Sequence, residues 1–146
     1  MTQPMTVAQK ILARAGGRTS AAAGETGVAS VDAVMFHDGS GPLILEAMRK
    51  AGRTAIAIPE KTFVIFDHGV PASTVRMANR QKLVRDFLSG LNDDSIFFAD
   101  AGEGICHQVL FETGRVRPGQ LLVGADSHTC MLGAVEVLGL PISAEQ

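Results

Sequence analysis

Four short polar segments contain all four histidines of the chain, and each segment also carries a carboxylate. They are HDGSG (37–41), DHG (67–69), DAGEGICHQ (100–108) and DSHTC (126–130). An aspartate beside a histidine can fix the tautomer of the imidazole and raise its basicity, which gives a group that transfers protons near neutral pH. No cluster of basic residues accompanies these segments. Their composition therefore favours the elimination or addition of water on a polar small molecule.

Other reactions fit these segments less well. Ser127 follows an aspartate, but it lacks the GxSxG turn that presents a serine nucleophile for acyl transfer. The GEG triplet at 102–104 is too short to predict a nucleotide-binding loop. Acid–base chemistry is therefore the preferred interpretation.

Each polar segment also has a structural interpretation. Asp126 could cap a following helix, His68 could bond a backbone carbonyl in a turn, and His107 could be a structural histidine that begins an apolar helix. Taken singly, this interpretation is favoured for every segment except DSHT. The coincidence of all four segments at the ends of apolar runs argues for a shared site.

The polar segments follow apolar runs that predict buried strands. These runs are VDAVMF (31–36), TFVIF (62–66), SIFFA (95–99) and QLLVGA (120–125). Strands that alternate with helical patterns predict an α/β fold, with a mainly parallel sheet and helices on both faces. Because the carboxyl ends of parallel strands share one edge, we expect the four polar segments to surround one crevice.

Helical spacing of apolar residues predicts four helices between and around these strands. They are an N-terminal helix ended by Gly16 and Gly17, a helix at 42–52, a long helix at about 72–88 with Val75, Ala78, Leu83 and Phe87 on its apolar face, and a short helix in CMLGAVEVLG (130–139). Residues 16–30 are small and rich in glycine, which predicts a loop or flexible link.

Composition restricts the class of protein. The chain has 146 residues, 46% of them hydrophobic, which is enough apolar material for one domain. A net charge of −2 gives no electrostatic footprint for nucleic acid or an anionic membrane surface. The N-terminus lacks the pattern of a signal or transit peptide, and no apolar run is long enough to span a bilayer. We therefore expect a cytoplasmic protein with reduced cysteines and no nucleic-acid or membrane partner.

Longer stretches of the sequence resemble a known family. KILARAGG, FHDGSGP, PEKTFVIFDHGVPA and DAGEGICHQVLFETGRVRPGQLLVGADSHTCMLGA resemble the large-subunit side of the aconitase superfamily. They look most like the 3-isopropylmalate dehydratase large subunits that carry HDG, GEGICHQ and GADSHTC. The resemblance runs in the same order from about Val7 to Ala134, and GICHQ together with DSHT is highly specific.

This resemblance implies an iron–sulfur hydro-lyase. Such an enzyme isomerises a 2-hydroxy di- or tricarboxylic acid by dehydration and rehydration, for 3-isopropylmalate dehydratase in leucine biosynthesis, and it uses a [4Fe–4S] cluster with one open iron. By matching motifs, Asp67 and His68 form the pair that helps the hydroxyl leave. The implied roles of the other residues are contact with substrate by Asp126, Ser127 and His128, support by His107, and substrate contact by His37.

The sequence also departs from the family in its cysteines. The family holds its cluster with three cysteines beyond DSHT, whereas Cys106 and Cys130 lie within the motifs, and the chain continues as VEVLGLPISAEQ. We therefore expect residues 1–146 to form a single incomplete aconitase-like domain, the N-terminal portion of such an enzyme. We expect it to bind no cluster and to be inactive alone, with the remaining large-subunit segment and a small subunit as partners.

Three alternatives stay open at this point. The substrate could be that of a homoaconitase or an aconitase-type hydratase of the same superfamily. The chain could be a truncated, non-catalytic fragment without the cluster cysteines. Outside the family, it could be a small-molecule binding module in which the four motifs coincide by chance.

Overall fold

A five-stranded sheet forms the centre of the computed structural model, which describes residues 4–144. The strands are β1 (Ala33–His37), β2 (Thr62–Ile65), β3 (Phe97–Ala99), β4 (Leu121–Gly124) and β5 (Leu138–Pro141). Every neighbouring pair is parallel, and the strands lie in the order β3-β2-β1-β4-β5. The four predicted strands therefore lie in one parallel sheet, as the sequence indicated.

Four α-helices accompany the sheet. They are α1 (Val7–Ala15), α2 (Gly41–Lys50), α3 (Val75–Leu91) and α4 (Cys106–Glu112), with short 3₁₀ helices at Pro59–Lys61 and Thr129–Val135. Thr6 and Gln9 form a capping box at the start of α1, and the Thr74 hydroxyl accepts the Met77 backbone N–H at the start of α3. None of the helices in residues 4–144 has the length and apolar character needed to cross a membrane.

The alternation of side chains along the strands builds a core on each face of the sheet. Met35 and Ile65 point to one face, where they pack with Leu110 of α4 and with Leu132. Residues of β1 and β2 that point to the other face, together with Phe66, pack against α2 and α3; this second core contains Phe36, Val64, Phe66, Val84 and Leu88. The prediction of helices on both faces is confirmed.

The strand order places a natural crevice beside β1. The chain runs from β1 outward through β2 and β3, and β4 then returns to the opposite side of β1. In parallel sheets, ligands bind outside the carboxyl ends of the strands where the order reverses in this way. His37 ends β1, and Asp126 follows β4 by two residues, so both lie at this point.

Two predicted elements differ from the structure. The segment 130–139 is not one helix, because the 3₁₀ helix ends at Val135, Glu136 takes a left-handed conformation with φ of 59°, and β5 begins at Leu138. The long helix covers Val75–Leu91 rather than 72–88. Its apolar face was also predicted wrongly, since Val75 and Leu83 are 78% and 50% exposed.

The buried face of α3 gives a test of this packing. We expect Val84→Ala to lower the free energy of unfolding by about 2 kcal/mol, because Val84 is fully buried and its methyl groups leave a cavity. Leu83→Ala removes more atoms from the neighbouring, exposed position and should cost no more than about 0.5 kcal/mol. Urea denaturation of both variants measures the difference, and equal losses would contradict the orientation of α3.

Candidate active site

Asp126 lies at the centre of the polar cluster. Its Oδ1 accepts hydrogen bonds from His107 Nε2 at 2.8 Å and from the His128 backbone N–H at 2.7 Å. Its Oδ2 lies 3.0 Å from His68 Nε2 and 3.7 Å from His37 Nε2. Only 4% of the Asp126 side chain is exposed. One buried carboxylate therefore joins residues that follow β1, β2, β3 and β4.

His68 lies between two carboxylates. Its Nδ1 is 2.6 Å from Asp67 Oδ1, and its Nε2 faces Asp126 on the other side of the ring. Both nitrogens can donate to these oxygens at once only when the ring is the protonated imidazolium. The side chain is still 43% exposed, so a substrate has access to it. This combination of charged support and access suits a proton donor.

His37 packs against the face of the His68 ring. The two ring centroids are 3.6 Å apart, and the planes differ by 13°. His37 Nδ1 accepts the Gly39 backbone N–H at 3.1 Å, which places the proton of the neutral ring on Nε2, facing Asp126. Only 9% of its side chain is exposed. This buried, stacked position suits a residue that supports the His68 ring. The direct contact of His37 with substrate, which the sequence suggested, stays a prediction.

Asp67 is anchored by the start of α4. Its Oδ2 accepts the Cys106 backbone N–H at 2.7 Å, while its Oδ1 faces His68. Burial, together with the nearby carboxylates of Asp67 and Asp126, raises the pKa of the Cys106 thiol far above its usual range. Cys106 is therefore a protonated, packed side chain, and the GICHQ segment acts here through its backbone and through His107.

The remaining predicted residues differ in where they lie relative to this cluster. Ser127 and His128 are exposed, with Ser127 Oγ 3.2 Å from His128 Nδ1. His107 is buried, and its Nδ1 has no hydrogen-bond partner among the described residues. Asp100, which shares a segment with His107, instead forms a two-pronged ion pair with Arg85.

Asp38 and Gln81 take part in the site, although the sequence did not assign them a role. Asp38 Oδ1 accepts the backbone N–H groups of Asp67 and His68, at 3.2 and 3.0 Å. Its Oδ2 accepts the Gly69 N–H at 2.8 Å and the Gln81 side-chain amide at 3.1 Å. The position of Asp38 in a polar segment was the available signal, whereas Gln81 lies outside the apolar face that was predicted for this helix.

The environment shifts the pKa values of the two stacked histidines in opposite directions. Burial acts to lower the pKa of His68, but the hydrogen bond to Asp67 and the charges of Asp67, Asp126 and Asp38 raise it above its ordinary value of 6.5. The pKa of His37 falls below 6.5, because burial and the positive charge of His68 outweigh the same carboxylates. Protonation is therefore favoured at His68 over His37, so the first positive charge that the pair takes up lies on His68.

We expect this pair to give the chain a stability maximum near pH 6.5. Folding weakens proton binding at His37. The contribution of His37 to the free energy of unfolding is therefore complete above pH 6.5 and is lost as the pH falls toward the pKa of His37 in the folded state. Folding strengthens proton binding at His68. The contribution of His68 to the free energy of unfolding is therefore complete below pH 6.5 and is lost as the pH rises through the pKa of His68 in the folded state. Urea denaturation at a series of pH values measures both losses of stability, which are the two limbs of the pH profile.

A single variant tests the assignment of these limbs. His37→Gln should remove the loss of stability just below pH 6.5 and leave the loss above it. A profile for the native sequence that rises or falls steadily from about pH 5 to pH 8 would contradict the opposed shifts.

The cluster also resembles a cation site in its spacing alone. The atoms that could bind a metal ion in His37, Asp38, Asp67 and His68 lie within 4.8 Å of one another. However, the two oxygens of Asp38 accept four N–H groups, and those of Asp67 bond His68 and the Cys106 N–H. Carboxylate lone pairs that already hold protein donors are not free for a metal. The cluster fits a hydrogen-bonded proton-transfer network better.

Comparison with known proteins identifies the family. The model of the aconitase family (aconitate hydratase) matches residues 9–146. The chain belongs to the aconitase family. The resemblance predicted from the motifs is thus confirmed, and the parallel α/β sheet agrees with it.

Curated relatives within the aconitase family are large subunits of hydro-lyases. The chain is 47% identical over 133 residues to a probable 3-isopropylmalate dehydratase large subunit of Methanothermobacter thermautotrophicus, covering 90% of this chain and 31% of the relative. It is 45% identical to the 3-isopropylmalate dehydratase large subunit 1 of Methanopyrus kandleri, covering 89% and 30%. A probable methanogen homoaconitase large subunit of M. thermautotrophicus is 43% identical, covering 89% and 31%. The chain spans about 30% of the length of these relatives.

Membership in the aconitase family implies a [4Fe–4S] cluster in the complete enzyme. The residues of this chain do not fit such a cluster. Its two cysteines supply at most two thiolates where a cluster with one open iron needs three, and the Cys106 thiol is buried and protonated. Cys130 is exposed.

Proposed function

We propose that this chain supplies the acid–base part of a hydro-lyase of the 3-isopropylmalate dehydratase type. The observation that carries the proposal is the placement of His68, held between two carboxylates at the carboxyl edge of the sheet and still open to solvent. The reaction would isomerise a 2-hydroxy acid through loss and return of water. The curated relatives with the 3-isopropylmalate dehydratase name support this substrate.

In this proposal His68 protonates the leaving hydroxyl. The substrate oxygen takes the place of Asp126 Oδ2 as the acceptor of the His68 Nε2 proton, so that the hydroxyl leaves as water. A base in the remaining part of the enzyme would take the proton of the adjacent carbon, and the electrons of that C–H bond form the double bond. Asp67 keeps its hydrogen bond to Nδ1 throughout and holds the ring in orientation. In the return step the neutral imidazole takes a proton from water as its oxygen adds to one carbon of the double bond, and the same base returns its proton to the other carbon.

The residues around His68 would bind and orient the substrate. Ser127 and His128 lie at the open edge, where a hydroxyl and an imidazole can donate hydrogen bonds to a substrate carboxylate. His107 holds Asp126 from the buried side. Asp126 in turn keeps the His68 Nε2 proton available until the substrate oxygen arrives.

The proposal also includes partners outside this chain. The iron–sulfur cluster would be held by cysteines of the remaining large-subunit segment, and a small subunit would complete the enzyme. The complete enzyme would be located in the cytoplasm. The homoaconitase relative favours one alternative substrate, that of a homoaconitase.

A chimeric enzyme tests this function. In it, this chain replaces the 133 matching residues of the M. thermautotrophicus 3-isopropylmalate dehydratase large subunit, and the product is assembled with the small subunit of that organism. We expect the assembled chimera, after reconstitution with iron and sulfide, to form the unsaturated product from 3-isopropylmalate. Activity only with the homoaconitase substrate would favour the alternative. Correct assembly without either activity would identify a non-catalytic fragment.

A further inference from the structure

Gln81 connects helix α3 to the loop that carries His68. The side chain is 5% exposed, and its Nε2 donates to Asp38 Oδ2 at 3.1 Å and to the Gly69 carbonyl oxygen at 2.8 Å. The preceding residue, Arg80, donates from its guanidinium to the Gly39 carbonyl oxygen at 2.8 Å. Two successive residues of one helix therefore hold both the loop after β1 and the loop after β2.

Asp38 transmits this support to three consecutive residues. It accepts the backbone N–H groups of Asp67, His68 and Gly69, while Gln81 fixes its Oδ2 from the other side. The approach is close, since a Cβ on Gly69 would lie 2.9 Å from Asp38 Oδ2. The backbone that carries His68 is thus tied to α3 through the Asp38 carboxylate and, at Gly69, directly through the Gln81 amide.

We propose that Gln81 is a positioning residue, which together with Asp38 sets the direction of the His68 ring between Asp67 and Asp126. The inference rests on the proposed function only for its consequence in turnover. Gln81 acts through Asp38 and the loop and contacts neither His68 nor the open edge of the site. Without the amide, Asp38 Oδ2 and the Gly69 carbonyl each lose a donor, and residues 67–69 are free to turn away from Asp126.

The charged groups that face His68 make its titration a sensitive reporter of this direction. They are His37 and Asp38 after β1, Asp67 beside it, and Asp126 after β4. In the 146-residue chain, the imidazole NMR signal of His68, assigned with a His68→Gln variant, gives the titration midpoint directly. A ring that leaves its two carboxylates should titrate at a lower pH.

The decisive variants are Gln81→Leu and Val84→Ala. Both change the buried face of α3, but Val84 packs in the apolar core and its side chain offers no hydrogen bond to Asp38 or Gly69. We expect Gln81→Leu to lower the His68 midpoint, and to lower kcat of the chimera by about 10²-fold with little change in KM. Val84→Ala should lower the melting temperature and leave both the midpoint and kcat unchanged. An unchanged midpoint and kcat in folded Gln81→Leu would overturn the proposal.

Hydrogen exchange in the native sequence tests the same proposal without a variant. The amides of His68 and Gly69 lie outside the strands, yet Asp38 should protect them as strongly as amides of β2. Exchange at the rate of an open loop would overturn the proposal, even if Gln81→Leu failed to fold. An inactive chimera with a shifted His68 midpoint would contradict the proposed function and leave the positioning role intact. An active chimera in which Gln81→Leu leaves the His68 midpoint unshifted would contradict the positioning role and leave the proposed function intact.

Discussion

His68→Ala should lower turnover of the chimeric enzyme by roughly 10²- to 10⁴-fold, the usual contribution of a positioned acid or base. The substitution removes the proton that Asp67 and Asp126 hold toward the leaving hydroxyl. Because the ring is partly exposed, the chain should still fold, with a modest loss of stability. Initial rates with 3-isopropylmalate, compared with thermal melts of the same preparation, measure both effects.

Leu83→Ala is the control for this experiment. It is an exposed truncation on the outer side of α3, and it should leave turnover unchanged. If the DHG segment serves only as a turn, His68→Ala would lower stability by about 1 kcal/mol and leave the turnover of the folded fraction as it was. That outcome would remove the catalytic role of His68.

Asp126→Asn should be damaging to both stability and turnover. Asp126 receives donors on both oxygens, from His107 and the His128 backbone on one side and from His68 on the other. An asparagine has one acceptor oxygen, so its NH₂ group must face one of these donors inside the protein. We expect a loss of about 3 kcal/mol in the free energy of unfolding, and roughly 10³-fold in kcat of the chimera.

A matched substitution on the surface provides the control for Asp126→Asn. Asp86 is an exposed aspartate that pairs with Lys82 on α3, at 2.5 Å between Asp86 Oδ2 and Lys82 Nζ. Asp86→Asn should change stability by no more than about 0.5 kcal/mol and leave kcat unchanged. Similar effects of the two substitutions would contradict the central place of Asp126.

The sequence predicted the parallel sheet and the meeting of its polar segments well, because both depend on strong local patterns. Runs such as TFVIF and QLLVGA are buried on both faces, and the polar residues that end them must then share one edge. Strand β5 was missed because LGLP is short and contains proline and glycine, which weaken any strand signal. Its pairing with β4 is a tertiary effect that no local pattern contains.

The role of Gln81 could not be predicted for a related reason. A polar residue in a helix ordinarily marks the solvent face, so the apolar face of α3 was assigned to Val75 and Leu83. Instead the helix buries Gln81 with Val84, because Asp38 and the Gly69 carbonyl need a donor at that position. Only the assembled loops reveal this requirement.

The proton-donor role of His68 is tested most directly by the pH dependence of kcat/KM for the chimera in both directions. This parameter reports ionisations of the free enzyme, so it can be compared with the His68 midpoint measured by NMR in the same protein. We predict that dehydration falls as the pH rises through that midpoint, which lies above 6.5. Hydration should fall with it, because the overall reaction takes up no proton and its equilibrium constant does not depend on pH. The absence of a high-pH limb at the NMR midpoint of His68 would contradict the assignment of His68 as the proton donor.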